Sequence, residues 1–145
     1  MLASQSAESG ELGVVAFSCV LDKRTRIQEV TQGSNVRGAV NPVAALIEQA
    51  RALGIITLVD GAQAVPHYQP DVRALGCDFY AFSSHKLFGP TGIGVLYGKA
   101  QLLEEMPPYQ GGGEMIERVS FERTTWNTLP YKFEAGTPAI AEAVG

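Results

Sequence analysis

Apolar and polar residues alternate along the chain in blocks that predict helices and strands in turn. The clearest helix lies between Asn41-Pro42, an N-cap followed by a proline at the first helical position, and Gly54, which ends the segment. Between these limits, apolar residues recur at helical spacing: Val43, Leu46, Ile47, Ala50 and Leu53. The pattern therefore predicts one amphipathic helix that buries this side.

Other runs predict strands at 26–31, 55–59, 78–83 and 92–98. The run at 55–59 is apolar on both faces, as is typical of a central parallel strand. Short helices are predicted near 71–75 and at 99–106, and the segment 14–21 is compatible with either a helix or a strand. This order of elements predicts an α/β fold whose strands are joined by crossover connections.

Length and composition narrow the class of protein. The 145 residues suit about one domain, and there are no repeats and no dividing linker. A net charge of −4 without a Lys/Arg block argues against nucleic-acid binding. The sequence lacks the features of a signal peptide and has no long apolar stretch, so no membrane span is expected. Two cysteines and two histidines suggest neither a disulfide framework nor a metal site, and a cytoplasmic location is expected.

Two polar clusters follow predicted strands. Asp60-Gly61-Ala62-Gln63 comes after 55–59, and Ser83-Ser84-His85-Lys86 comes after the next strand along the chain. Ligands of parallel α/β sheets bind beyond the carboxyl ends of the strands. If these strands are parallel, Asp60 and Lys86 open onto the same edge. The alternative is that Asp60 only caps a helix and that Lys86 is only solvated.

An amine and a carboxylate at one edge suit a Schiff-base cofactor. A desolvated lysine amine is a nucleophile that forms an imine with an aldehyde. A carboxylate beside a pyridine nitrogen keeps that nitrogen protonated, so that the ring accepts electrons. This is how lysine and aspartate bind pyridoxal 5'-phosphate.

Four stretches carry a resemblance to a known family: "LVDGAQAVPH", "DFYAFSSHKLFGPTGIGVLYG", "PPYQGGGEMI" and "FEAGTP". Together they resemble the group II cysteine desulfurase and selenocysteine lyase family, which are fold-type-I pyridoxal-phosphate enzymes of the class-V aminotransferase superfamily. The resemblance covers about Gly10 to Gly145. It implies part of a large three-layer α/β/α domain with a mostly parallel sheet, incomplete at both ends. Residues 1–10 are expected to be disordered, and 107–145 to be rich in loops, with a hairpin and a dimer interface.

The resemblance also implies roles for the residues of the two clusters. Lys86 would bind the cofactor covalently and then act as the proton-transfer base. Asp60 would pair with the pyridine nitrogen, and Gln63 would hydrogen-bond the phenolic oxygen. Ser83 and His85 would hold the phosphate.

Two further residues receive roles only from the resemblance. Asn35 would contact the cofactor oxygen or the substrate carboxylate. Thr137 would reach the phosphate bound by the neighbouring subunit of a dimer. The alternative for Asn35 is a plain turn residue, and for Thr137 a plain loop residue before a proline.

The implied reaction converts L-cysteine to L-alanine and transfers sulfur to an enzyme cysteine as a persulfide. Cys19 and Cys77 are both expected in the core, where a thiol is inert. In the family the nucleophilic cysteine lies beyond the end of this sequence, so the chain is expected to be a fragment that is inactive alone. Partners implied by the family are a second subunit and a sulfur-acceptor protein, as in iron–sulfur cluster assembly.

Other functions remain open at this point. The same cofactor would serve another class-V enzyme, such as a selenocysteine lyase, an epimerase or an aminotransferase-like enzyme. A non-catalytic remnant that pairs with a full-length subunit is a third hypothesis. A simple nucleotide-binding domain is disfavoured because no glycine fingerprint follows a strand.

Overall fold

The fold is described for residues 12–145 by a computed structural model, and it divides into two units. Four strands form the sheet of the first unit. They are β1 (Ile27–Thr31), β2 (Ile56–Asp60), β3 (Phe79–Ser83) and β4 (Gly94–Gly98), in that spatial order. β2 runs parallel to β1 on one side and to β3 on the other, and Asp60 is in register with Thr31 and Ala81. The predicted α/β fold is confirmed. The expected disorder of 1–10 concerns residues outside the described range.

The core lies between this sheet and the helix α2 (Val43–Ala52). α2 buries four of the five residues predicted for its apolar side: Val43, Leu46, Ile47 and Ala50. They pack with Val30, Val59 and Tyr80 on one sheet face, called here the α2 face. Each buried Val, Leu or Ile side chain contributes roughly 1.5–3 kcal/mol to stability. Leu53 is 60% exposed because the helix ends before it.

The predicted N-cap of α2 is wrong. Pro42 occupies the cap position, and no side chain caps the helix. Asn41 is buried, and its Oδ1 accepts a hydrogen bond from Leu12 N at 3.0 Å. Its Nδ2 donates to Thr31 O at 2.7 Å. The side chain therefore joins the end of β1 to an earlier segment instead of capping the helix.

The ambiguous segment 14–21 begins as a short helix, α1 (Val14–Ser18). Cys19 follows its last residue and is exposed, so the expectation that Cys19 lies in the core is wrong. The helix ends at Ser18, and the turn beyond it carries the thiol to the surface. Cys77 is fully buried, as predicted. It follows α3 (Val72–Leu75), which lies in the crossover from β2 to β3.

The second unit, Gly98–Gly145, contains α4 (Ala100–Glu105), β5 (Ile116–Val119), β6 (Thr124–Trp126) and α5 (Ile140–Val144). β5 and β6 pair antiparallel. Lys132 is buried, and its Nζ donates to Leu103 O at 3.0 Å and to Glu104 O at 2.8 Å. A cation at the last carbonyls of a helix is favourable, so Lys132 stabilises the end of α4.

The length and apolar content needed to cross a membrane are not reached by any helix in residues 12–145.

Candidate active site

The carboxyl ends of the parallel strands bring both polar clusters to one edge of the sheet. Asp60 is the last residue of β2, and Ser83 is the last residue of β3. Because Ala81 is in register with Asp60 and side chains alternate along a strand, Asp60 and Ser83 lie on the same sheet face. Val59 and Tyr80 point to the α2 face, so Asp60 and Ser83 point to the opposite face. The carboxyl ends of two strands thus place Asp60 and Ser83 on one face of the sheet.

The Asp60 carboxylate is held in place by the turn that follows it. Its Oδ1 accepts a hydrogen bond from Ala62 N at 2.9 Å. The main chain on either side is also fixed, since Gln32 N donates to Asp60 O at 2.8 Å and Gly61 N donates to Ala81 O at 2.9 Å. Oδ2 of Asp60 accepts no hydrogen bond from any residue of 12–145. The carboxylate is oriented and keeps one oxygen for a ligand.

Lys86 is presented by a short 3-10 turn, Ser84–Lys86, directly after β3. The Ser84 carbonyl accepts hydrogen bonds from Leu87 N at 2.8 Å and from Gly89 N at 3.0 Å, and Ser84 Oγ donates to Pro90 O. These bonds fix the backbone around the lysine. Lys86 itself is half-buried, and within the described residues its amine makes no hydrogen bond or ion pair.

Three more predicted side chains lie along this edge. Gln63 is half-buried and lies beside Gly33 in the loop that leaves β1, with 3.7 Å between Gln63 Cβ and the position of a Gly33 Cβ. Ser83 is half-buried and His85 is exposed. Among residues 12–145, these side chains form no hydrogen bonds with the protein. They are therefore available as donors to a bound molecule.

Asn35 and Thr137 are both exposed. Asn35 is exposed in a turn closed by the Gly33–Val40 bridge, and this loop starts at the same sheet edge. Thr137 is exposed in the second unit, just before α5. The role predicted for Thr137 involves a neighbouring subunit and stays a prediction.

Sequence reasoning missed two residues that support Asp60. Tyr80 Oη donates to Gln32 Oε1 at 2.6 Å, and the end of the Tyr80 ring lies where a side chain at Gly61 would stand. Burial raises the pKa of Tyr80 to about 12, and the neighbouring Cys77 and Asp60 add to this shift. A signal was present, since a tyrosine within an apolar strand needs a partner for its hydroxyl.

Comparisons with known proteins show the family to which the chain belongs. The profile of the aminotransferase class-V family matches residues 3–145. A cysteine desulfurase of Dickeya dadantii (strain 3937) is 57% identical over 139 residues, covering 95% of this chain and 34% of that protein. A cysteine desulfurase of Yersinia pestis (strain Pestoides F) is 54% identical over 138 residues, covering 94% and 34% respectively. The chain spans about a third of the length of these curated relatives.

Solved structures show the same fold. The cysteine desulfurase CsdA of Escherichia coli, in an S-sulfonic acid form, matches with a TM-score of 0.87 and 48% identity, over 90% of this chain and 33% of that one. The apo cysteine desulfurase of Thermococcus onnurineus NA1 matches with a TM-score of 0.89 and 35% identity, over 97% and 35%. The chain belongs to the aminotransferase class-V family.

Proposed function

We propose that this chain carries the cofactor-binding edge of a pyridoxal-phosphate-dependent cysteine desulfurase. The observation that carries the proposal is the free amine of Lys86 at the same sheet edge as the free carboxylate oxygen of Asp60. The relatives named cysteine desulfurase favour cysteine over selenocysteine as the substrate.

The residues at this edge fit pyridoxal phosphate by their donor and acceptor chemistry. The free oxygen of Asp60 can accept a hydrogen bond from a protonated ring nitrogen. Ser83 and Gln63 offer donors to the anionic oxygens of the cofactor, as does His85 through a ring N–H. Lys86 offers an amine for a covalent bond to the aldehyde. Each part of the cofactor thus has a matching group among residues that the fold brings to one edge.

The bound cofactor supplies an electron-accepting ring. Lys86 would hold it through its amine and would carry a proton to and from the substrate carbon. Asp60 holds the proton on the ring nitrogen, and its bond from Ala62 keeps the carboxylate aimed in one direction. Gln63 binds the phenolic oxygen, and Ser83 and His85 bind the phosphate.

The remaining roles lie farther from the strand ends. Asn35 contacts the cofactor oxygen or the substrate carboxylate, from a loop that begins at the same edge. Thr137 reaches the phosphate of a neighbouring subunit in a homodimer. Both roles derive from the family resemblance, and the exposure of the two side chains is compatible with them.

The sulfur-transfer step needs a thiolate that attacks the substrate sulfur. Cys77 is fully buried and cannot reach a substrate. Cys19 is exposed next to α1, and its Sγ lies 3.4 Å from Val15 O. Because Cys77 is buried and the Cys19 thiol donates its proton in a hydrogen bond to Val15 O, we propose that neither is the sulfur acceptor and that the 145 residues bind cofactor and cysteine without completing desulfuration.

The test is an absorbance spectrum of the purified chain with pyridoxal phosphate, before and after borohydride. We expect a visible band that borohydride removes, with the reduced adduct mapped to Lys86 by mass spectrometry. L-Alanine, the implied product, which has no thiol to react with the aldehyde by itself, should shift the band, whereas D-alanine should not. Lys86→Ala should lose the band.

The matched control is Lys23→Ala, because Lys23 is an exposed lysine of the same unit with no proposed role. Its spectrum should equal that of the unaltered chain. An adduct spread over several lysines, or a band retained by Lys86→Ala, would contradict the proposal.

A further inference from the structure

Tyr80 is a buried polar residue that contacts the ends of two neighbouring strands. Its side chain is 1% exposed and points to the α2 face. Its hydroxyl donates to Gln32 Oε1 at 2.6 Å, and Gln32 directly follows β1. Its ring lies against Gly61, which directly follows β2: a Cβ built on Gly61 would be 2.1 Å from the ring.

These contacts lead through the main chain to the Asp60 carboxylate. Gln32 N donates to Asp60 O at 2.8 Å, so the position of Gln32 fixes the main chain at Asp60. Gly61 begins the turn whose next residue, Ala62, donates its N–H to Asp60 Oδ1 at 2.9 Å. The phenol of Tyr80 thus holds two residues in place. One is Gln32, which donates to the Asp60 carbonyl, and the other is Gly61, the first residue of the turn.

A role in core filling alone does not explain the hydroxyl. Phenylalanine would fill the same space without placing a polar group in the interior, where an unpaired hydroxyl costs stability. The hydroxyl is paired with the side chain of Gln32, and the main-chain N–H of Gln32 donates to the carbonyl of Asp60. Because burial raises its pKa from 10.0 to about 12, the hydroxyl remains a donor into the alkaline range.

We propose that Tyr80 is a positioning residue for Asp60: its hydroxyl bond to Gln32 and its ring contact with Gly61 set the turn that aims the carboxylate at the cofactor. Tyr80 acts from the α2 face while Asp60 points to the other face, so it does not touch the cofactor. The inference rests on the proposed function, in which Asp60 pairs with the ring nitrogen.

The test begins with Tyr80→Phe, which keeps the ring against Gly61 and removes only the hydroxyl. We introduce this change into the unaltered chain and into Asp60→Asn. Equilibrium dialysis then measures the affinity of all four chains for pyridoxal phosphate. We expect Tyr80→Phe to weaken binding about fivefold to tenfold, as loss of one buried hydrogen bond allows. In Asp60→Asn the same change should have an effect of about twofold at most, because interacting residues are non-additive.

A second arm needs no cofactor. Amide hydrogen exchange at Gln32 and Ala62 reports the bonds to the Asp60 carbonyl and carboxylate. Tyr80→Phe should speed exchange at both amides. Gln32→Met, which removes the acceptor from the other side, should do the same and serves if Tyr80→Phe folds poorly. The control is Tyr97→Phe, which removes the hydroxyl of a half-buried tyrosine packed on the same core.

Equal weakening by Tyr80→Phe in both backgrounds would overturn the inference, as would unchanged exchange at Ala62. Failure of the unaltered chain to bind pyridoxal phosphate would instead contradict the proposed function. In that case the exchange arm still decides whether Tyr80 holds the turn at Asp60.

Discussion

Gly61 has to be a glycine because there is no space for a side chain at this position. The end of the Tyr80 ring occupies the volume that any larger side chain would need, with 2.1 Å between the built Cβ and the ring. Tyr80 is the second residue of β3 and packs in the core, so its ring cannot move without disturbing the core. The turn after Asp60 therefore depends on a pair of residues that are 19 positions apart (80 − 61 = 19).

We expect Gly61→Ala to lower the free energy of unfolding by about 1–3 kcal/mol, the usual cost of overpacking a core. In a Tyr80→Leu background the added methyl group should cost less, because the ring that it would meet is gone. Urea unfolding of the four chains of this cycle measures both costs. Gly111→Ala is the control, since a Cβ there meets nothing within 4 Å. Equal costs in both backgrounds would show that the ring does not set the requirement.

The local sequence pattern predicted where the helices and strands lie, but it did not predict which side chains cap the helices. Asn41 has the sequence of a helix cap, yet it bonds to Leu12 and Thr31, which are 29 and 10 positions away. A local pattern does not contain such partners. Asp71 was not singled out and is a true cap, because its side chain accepts from Arg73 N and Ala74 N at 2.9 Å.

The cap of α3 can be tested by Asp71→Ala. Two helix N–H groups would lose their acceptor, and we expect a loss of about 1 kcal/mol in the free energy of unfolding. Glu48→Ala removes an exposed carboxylate from α2, and its effect should stay within about 0.5 kcal/mol. Chemical denaturation of both variants provides the comparison. A loss at Asp71 no larger than that at Glu48 would contradict a stabilising cap.

The stability of the whole chain should depend on pH because Tyr80 is buried. Its pKa is about 12 when folded and 10.0 when unperturbed, so between these values the folded chain keeps a proton that the unfolded chain releases. This contribution to stability is complete below about pH 10 and is lost as the pH rises towards about 12.

We therefore expect the stability difference between the unaltered chain and Tyr80→Phe to shrink across that window. Urea unfolding at about pH 8, 10 and 11 would measure the difference. Tyr97→Phe controls for general alkaline effects. A difference that stays constant with pH would mean that the Tyr80 hydroxyl titrates alike in both states.

The sequence predicted the sheet, the main helix and the strand ends that carry polar side chains, because these follow from periodicity and from the topology of parallel strands. It did not predict how the site is supported. The support given by Tyr80, Gln32 and Ser84 depends on contacts between different loops and strands. The register of β2 with β3, which places Asp60 and Ser83 on one face, likewise comes from packing.

That register has a consequence for insertions and deletions. One extra residue within β2 would turn Asp60 to the α2 face, because successive side chains of a strand point to opposite faces. Asp60 would still point to the same sheet face if extra residues were added in the loop between Gly33 and Val40 or in the crossover through α3. Homologues of different length are therefore expected to place their gaps in these loops and to keep the strands gap-free.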